Sequence, residues 1–190
     1  MADAAAPAYH QAKLHAKEQI MADSKLKPGD PAPDFELMNQ DRAKIRLADF
    51  RGRKKVVLLF YPMDFSPICT QEHCSFGPDL GKIQKDDDTV VFGVSCDSPF
   101  CHAAFRRQYS IPYDLLADTT RRMVKAYGMF AGEEPYNCSK RGTVVIGRDG
   151  TILHHQEVGM TEARKVEDVA RASNIDIAQE QRGSEFGVSV

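Results

Sequence analysis

Residues 54–62 read Lys-Lys-Val-Val-Leu-Leu-Phe-Tyr-Pro, apolar without a break from Val56 to Tyr61 and then stopped by proline. A strand with one wet face alternates apolar and polar side chains. A strand apolar on both faces is covered on both, as a central strand of an α/β sheet is. Thr89–Cys96, Thr-Val-Val-Phe-Gly-Val-Ser-Cys, is a second run of this kind. The residues between them, from about Ser66 to Lys85, suit a helix. Strand, helix, strand makes a right-handed crossover unit. Together these runs predict an α/β domain with a central mixed, mostly parallel sheet and helices on both faces.

The flanking sequence fills in the order. Lys27–Phe35 is a proline-spaced, extended lead-in. Phe35–Leu47 suits two short strands with a bend at Asn39–Asp41, and Ala48–Gly52 a helical turn ended by glycine. A helix is expected over Pro99–Tyr109, a short strand over Tyr113–Asp118 and a short helix over Thr120–Gly128. Arg141–Gly159 holds two β-rich runs around Arg148-Asp149-Gly150, a hairpin signal. A last helix over Glu162–Ser173 turns Ala163, Val166, Val169 and Ala170 to one side. Residues 1–25 form an Ala-, Lys- and Gln-containing arm, weakly helical or disordered, residues 26–175 one domain, and residues 176–190 a polar tail.

The chain has 190 residues, enough for one domain with a substantial core. Its 25 basic and 27 acidic residues leave a net charge of -2, with no basic excess to hold nucleic acid. No apolar run nears the roughly 18 residues of a membrane helix. The N-terminus lacks a basic head followed by an apolar stretch, so a secretory signal is not expected and a cytoplasmic location is. There the five cysteines, Cys69, Cys74, Cys96, Cys101 and Cys138, start as thiols: packing residues, metal ligands or redox groups.

Cys69 has the most telling position. It follows the end of the first buried strand, where ligands bind in such sheets. Pro67 suits the first helical turn and Ser66 the N-cap. Cys69 then lies in that first turn, where unpaired amides and the positive end of the helix dipole favour the reactive thiolate. A thiolate enzyme also needs a cation and donors for the group attacked. Arg141, at the start of a later strand, is the candidate. Glu72, three residues after Cys69 on the same helical face, is placed to orient it.

The residues Pro62, Ser66 and Cys69 match the motif P-x-x-x-[ST]-x-x-C, and the chain resembles the peroxiredoxin family from about Lys27 to Ala172. The resemblance rests also on Gly-Asp-Pro-Ala-Pro-Asp-Phe-Glu-Leu, Phe-Gly-Val-Ser-Cys-Asp-Ser, Tyr-Gly-Met-Phe and Arg-Gly-Thr-Val-Val-Ile, in that order. It implies a thioredoxin-like fold and thiol-dependent reduction of hydrogen peroxide and organic hydroperoxides, without metal or flavin. By the same resemblance Cys69 is the peroxidatic cysteine, which attacks the O–O bond and becomes a sulfenic acid. Ser66 binds the peroxide, Arg141 stabilises the thiolate and the developing oxygen charge, and Pro62 shields the sulfur.

The spacing of Cys69 and Cys74 is similar to that of Q-type, bacterioferritin-comigratory peroxiredoxins, in which the cysteine five residues on resolves the sulfenic acid. On an intact helix such positions have Cα atoms roughly 8–9 Å apart and point about 140° away from each other. A disulfide needs about 4.4–6.8 Å. The bond therefore requires the helix start to unwind, over about Ser66–Phe76. Cys138, in a loop before Arg141 that suits mobility, is the second choice. Cys96 reads as packing and Cys101 as a residue near a helix start.

Other constellations say less. His73, Cys74, Cys101 and His102 lack the paired spacing of structural zinc sites, and adjacent His154 and His155 point to opposite strand faces. Phe65 and Phe130 are core by default and candidates for the wall of a peroxide pocket or a dimer face. The expected partners are a peroxide and thioredoxin or another thiol, in a monomer or homodimer. The alternatives are a one-cysteine peroxidase resolved by an outside thiol, and a non-catalytic binding or chaperone module on the same fold.

Overall fold

The computed structural model describes residues 26–83 and 88–173. The expected arm at 1–25 and tail at 176–190 lie outside them. The elements are β1 (Glu36–Asn39), β2 (Lys44–Arg46), a 3-10 turn (Leu47–Asp49), β3 (Lys55–Phe60), α1 (Pro67–Ile83), β4 (Thr89–Ser95), α2 (Pro99–Tyr109), β5 (Asp114–Ala117), α3 (Arg122–Ala126), β6 (Arg141–Ile146), β7 (Ile152–Val158) and α4 (Val166–Ala172). Order and type follow the sequence pattern.

The seven strands form one sheet in the order β2-β1-β5-β4-β3-β6-β7. It is mixed, but less parallel than expected. Only β3–β4 and β4–β5 are parallel pairs. Pairings β1–β2, β1–β5, β3–β6 and β6–β7 are antiparallel. Strand β6, reached from β5 through the short α3 and the loop after it, runs back along β3 and carries the β6–β7 hairpin on that edge, while β1 adds antiparallel to β5 on the other side.

The uninterrupted run in β3 divides between two cores. Val56, Leu58 and Phe60 pack on one face with Met123 and Val124 of α3 and with Ile152. Val57, Leu59 and Tyr61 pack on the other with Cys69, Phe76 and Leu80 of α1, Phe105 of α2 and Val169 of α4. Covered on both sides, the strand has no place for a polar residue, which accounts for its lack of alternation.

The last helix begins at Val166, four residues later than expected. Residues 159–165 instead fold as a turn and extended segment, with Glu162 N donating to Gly159 O. That departure brings Arg164 to the cysteine helix. Among the described residues no helix is long and apolar enough to cross a membrane.

Candidate active site

Cys69 lies in the first turn of α1, fully buried. Pro67 is the first helical residue, and Ser66 O accepts the first helical bond from Thr70 N at 2.9 Å. Ser66 thus occupies the cap position, but its hydroxyl donates to Met63 O at 3.2 Å instead of accepting from a first-turn amide. It ties the loop together while standing three residues before the sulfur.

Arg141 opens β6 and is only 1% exposed. Its Nη2 donates to Cys69 Sγ at 3.2 Å, across 72 positions of sequence. Its Nη1 lies 2.9 Å from Glu72 Oε1. A buried guanidinium needs such a counter-charge, because the desolvation of an unpaired ion is prohibitive. Arg141 Nε is buried with no hydrogen-bond partner in the structure.

Glu72 is held in turn by Arg164. Arg164 Nη2 approaches Oε1 at 2.5 Å, Nε donates to Oε2 at 3.1 Å and the Arg164 backbone N donates to Oε2 at 2.7 Å. Arg164 Nη1 donates to Gly142 O and to Thr143 Oγ1, which fixes the same guanidinium on β6. Burial by itself would raise the Glu72 carboxyl, but Arg164 and then Arg141 outweigh it and hold the group below the usual carboxylate range. Two guanidiniums around one carboxylate leave one positive charge in excess, and it faces the sulfur.

A second network fixes the loop from Pro62 to Ser66. Asp64 accepts from Tyr61 Oη at 2.7 Å and pairs with His102 Nδ1 at 2.8 Å. Asp64 N donates to Asp97 Oδ2 at 2.9 Å, and Ser95 Oγ donates to that same oxygen at 2.6 Å. The loop is therefore fastened to α2 and to the end of β4. Phe65, next in line, sits in the left-handed region at φ 59°, a conformation that tertiary contacts must hold for so bulky a residue.

The structure brings Cys69, Arg141 and Glu72 into contact and places Pro62, buried, in the loop ahead of them. Cys74 is exposed, on the far side of α1 from the buried Cys69. The expected mobile setting of Cys138 is overturned. It is 4% exposed, and its carbonyl accepts from Ala131 N as the chain folds back beside Met129 and Phe130. Burial, then the nearby Cys69 sulfur, raises the Cys138 thiol. Phe65 and Phe130 do not share a wall. Phe65 is 42% exposed and packs on Phe105 and Tyr109, whereas Phe130 packs against the core on the opposite sheet face and under Lys125.

Cys96 follows β4 half-buried, and Cys101 lies in the first turn of α2; burial pushes both thiols up to about 12. The one metal-type grouping among the described residues is Asp64, Asp97 and Cys101, without His73 or Cys74, and its carboxylates are engaged by the loop bonds above. Sequence reasoning missed Arg164, Asp64 and His102. Each acts across the fold, and no local pattern marks them.

The fold and this buried cysteine–arginine pair define a thioredoxin-like thiol protein. A protein-family model, the AhpC/TSA family, matches residues 28–155. The chain is 36% identical over 134 residues to a peroxiredoxin of Mycobacterium tuberculosis, covering 68% of this chain and 84% of that protein. It is 35% identical over 133 residues to the chloroplastic peroxiredoxin Q of Gentiana triflora, covering 66% of this chain and 60% of that protein. The solved peroxidoxin BcpB of Mycobacterium tuberculosis superimposes with a TM-score of 0.67 at 27% identity, over 78% of this chain and 97% of that one. The chain belongs to the AhpC/TSA family, the peroxiredoxins, and is similar to Q-type and BcpB members of it.

Proposed function

We propose that the protein is a thiol-dependent peroxidase in which Cys69 reduces hydrogen peroxide and organic hydroperoxides. The observation that carries this reading is the 3.2 Å contact from Arg141 Nη2 to a fully buried Cys69 Sγ. A guanidinium in a dry site holds a sulfur anion and, as reaction proceeds, the charge developing on oxygen.

The Cys69 sulfur attacks one peroxide oxygen. The S–O bond forms as the O–O bond breaks, the sulfur is oxidised to sulfenic acid, and the leaving oxygen takes a proton and departs as water or alcohol. Arg141 Nε, buried and without a partner, is a donor for one oxygen, and the Ser66 hydroxyl, once turned from Met63 O, for the other. Pro62 keeps bulk water from the sulfur. Glu72 and Arg164 position Arg141 without touching the reacting atoms.

Cys74 then attacks the sulfenic sulfur, forming the disulfide and releasing water, and thioredoxin or another cytoplasmic thiol restores both cysteines. The exposure of Cys74 suits that exchange. Cys138 is the second choice, supported by its electrostatic reach to Cys69.

Peroxide consumption is the test. Cys69→Ser abolishes turnover, whereas Cys74→Ser keeps the first oxidation and loses thioredoxin-driven cycling. Unimpaired turnover in Cys69→Ser refutes the assignment, and absence of turnover in the native protein leaves the binding-module alternative. Non-reducing peptide mapping after one equivalent of peroxide names the bridged pair.

A further inference from the structure

The segment that must unravel to join Cys69 and Cys74 contains His73, next to the resolving position. Its ring is fully buried. Nδ1 lies 2.5 Å from the Tyr113 hydroxyl, in hydrogen-bond contact, while Nε2 is buried without a partner. The Tyr61 ring stands edge-on at 4.4 Å between centroids, and the Phe105 ring is perpendicular at 5.5 Å. The ring thus ties α1 to the residue after β3, to α2 and to the residue before β5.

Its charged surroundings come from every side. Glu72 of α1 and Asp64 of the loop favour a proton, and Arg164 ahead of α4 and Arg141 of β6 oppose one. Tyr61 and Tyr113 are neutral neighbours, each raised by burial. Burial outweighs the rest and lowers the His73 imidazole to about 3. While α1 is wound, the ring is neutral at any ordinary pH.

We propose that His73 is a positioning residue that holds α1 wound in the reduced protein and takes up a proton when the Cys69–Cys74 bond forms. The inference rests on the reading that Cys74 resolves. Closing the bond must shorten the roughly 8–9 Å between the two Cα atoms, and His73 cannot keep its place while its neighbour moves. In the covalent step the Cys74 sulfur joins the sulfenic sulfur, the S–O bond breaks, and the oxygen leaves as water. The proton on His73 comes from solvent. Once freed, the imidazole returns to its ordinary value of about 6.5, so acid favours the unwound, oxidised form. Between pH 8 and pH 5.5 that preference grows about tenfold, equal to about 30 mV for a two-electron couple.

Two measurements test it, each beside peptide mapping of the oxidised protein. In proton NMR the His73 ring is silent above about pH 4 in the reduced protein and titrates near pH 6.5 in the oxidised one. In redox titration, the native midpoint potential relative to that of His73→Phe is about 30 mV lower at pH 5.5 than at pH 8. If His73→Phe does not fold, the NMR arm on the native protein decides alone. A His73 ring that stays silent in protein mapped as Cys69–Cys74 disulfide overturns the inference and leaves the peroxidase reading standing. A map showing another pair overturns the resolving role of Cys74, and this inference with it.

Discussion

Arg164→Met removes the group that sequence reading does not find. The methionine stem fills much of the arginine's volume, so the change is chiefly one of charge and hydrogen bonds. It takes two side-chain bonds from Glu72 and two from β6, all buried. Removing one partner of a buried ion cluster costs about 3–5 kcal/mol. For a chain of this length each kcal/mol moves the melting temperature by about 2–4 °C, giving a fall of about 6–20 °C by circular dichroism. The excess positive charge facing Cys69 is lost as well, and the second-order rate with peroxide falls by about tenfold, or ~1.4 kcal/mol of barrier. Combined with Glu72→Gln the losses are far from additive, since both changes empty the same network. A melting point within about 2 °C of native, or full additivity in the double variant, refutes the network as the support of Arg141.

Further outcomes follow from other parts of the fold. His73 is held neutral in the native state and protonates near pH 6.5 when unfolded, so its share of stability is complete above that pH. It declines by about 1.4 kcal/mol per pH unit down to the folded value of about 3, and is fully lost below it. Urea titrations of reduced protein at pH 7.5 and pH 5.5 show this loss, and His73→Phe flattens it; equal losses in both proteins contradict the assignment. Gly142→Ala would set a Cβ 2.6 Å from Gln156 O and 2.7 Å from the Met129 methyl, beside Arg141. Strand β7 has to shift, lowering stability by about 1–3 kcal/mol together with peroxide turnover, and a variant native in both refutes the close approach. Asp118→Ala empties the carboxylate that accepts from Arg122 N and Val124 N at the start of α3. A loss of about 1–2 kcal/mol in denaturant unfolding is expected, with the Cys69 rate unchanged.

What could be read in the sequence was what repeats or stays local. Uninterrupted Val56–Tyr61 announced a strand covered on both faces, and Asp149-Gly150 the hairpin of β6 and β7. The cysteine with Pro62 and Ser66 lay within eight residues of chain, close enough for one motif to carry them. Arg141 and Glu72 could be nominated because one opens a strand and the other shares a helical face with Cys69. Arg164 had no such signal. In Thr161-Glu162-Ala163-Arg164-Lys165 it looks like a solvated charge, and the spacing of Ala163 and Val166 favours a helix through it. Its three contacts with one carboxylate outweigh that propensity, and the segment stays unwound to keep them. Cys138 was misplaced for the converse reason: a polar neighbourhood in sequence says nothing of the Phe130–Ser139 bridge that seals it in.

The same residues that make α1 firm stand in the way of the disulfide. Glu72 and His73 both lie between Cys69 and Cys74, so under the proposed pairing the unwinding that joins the sulfurs also releases Glu72 from Arg141 and Arg164. A disulfide closing a six-residue loop gains about 2 kcal/mol by constraining the unfolded chain. Dismantling the ion cluster costs about 3–5 kcal/mol. The second figure wins, so the oxidised protein is the less stable form despite its added cross-link, by about 1–3 kcal/mol and several degrees of melting temperature. With Cys69 held in the proposed disulfide, no thiolate is left to attack a second peroxide until a thiol restores it. Melting curves of protein oxidised with one equivalent of peroxide, beside reduced protein, decide the matter. A higher melting point on oxidation would mean that the two sulfurs meet with Glu72 still in place, and the helix would not have to yield.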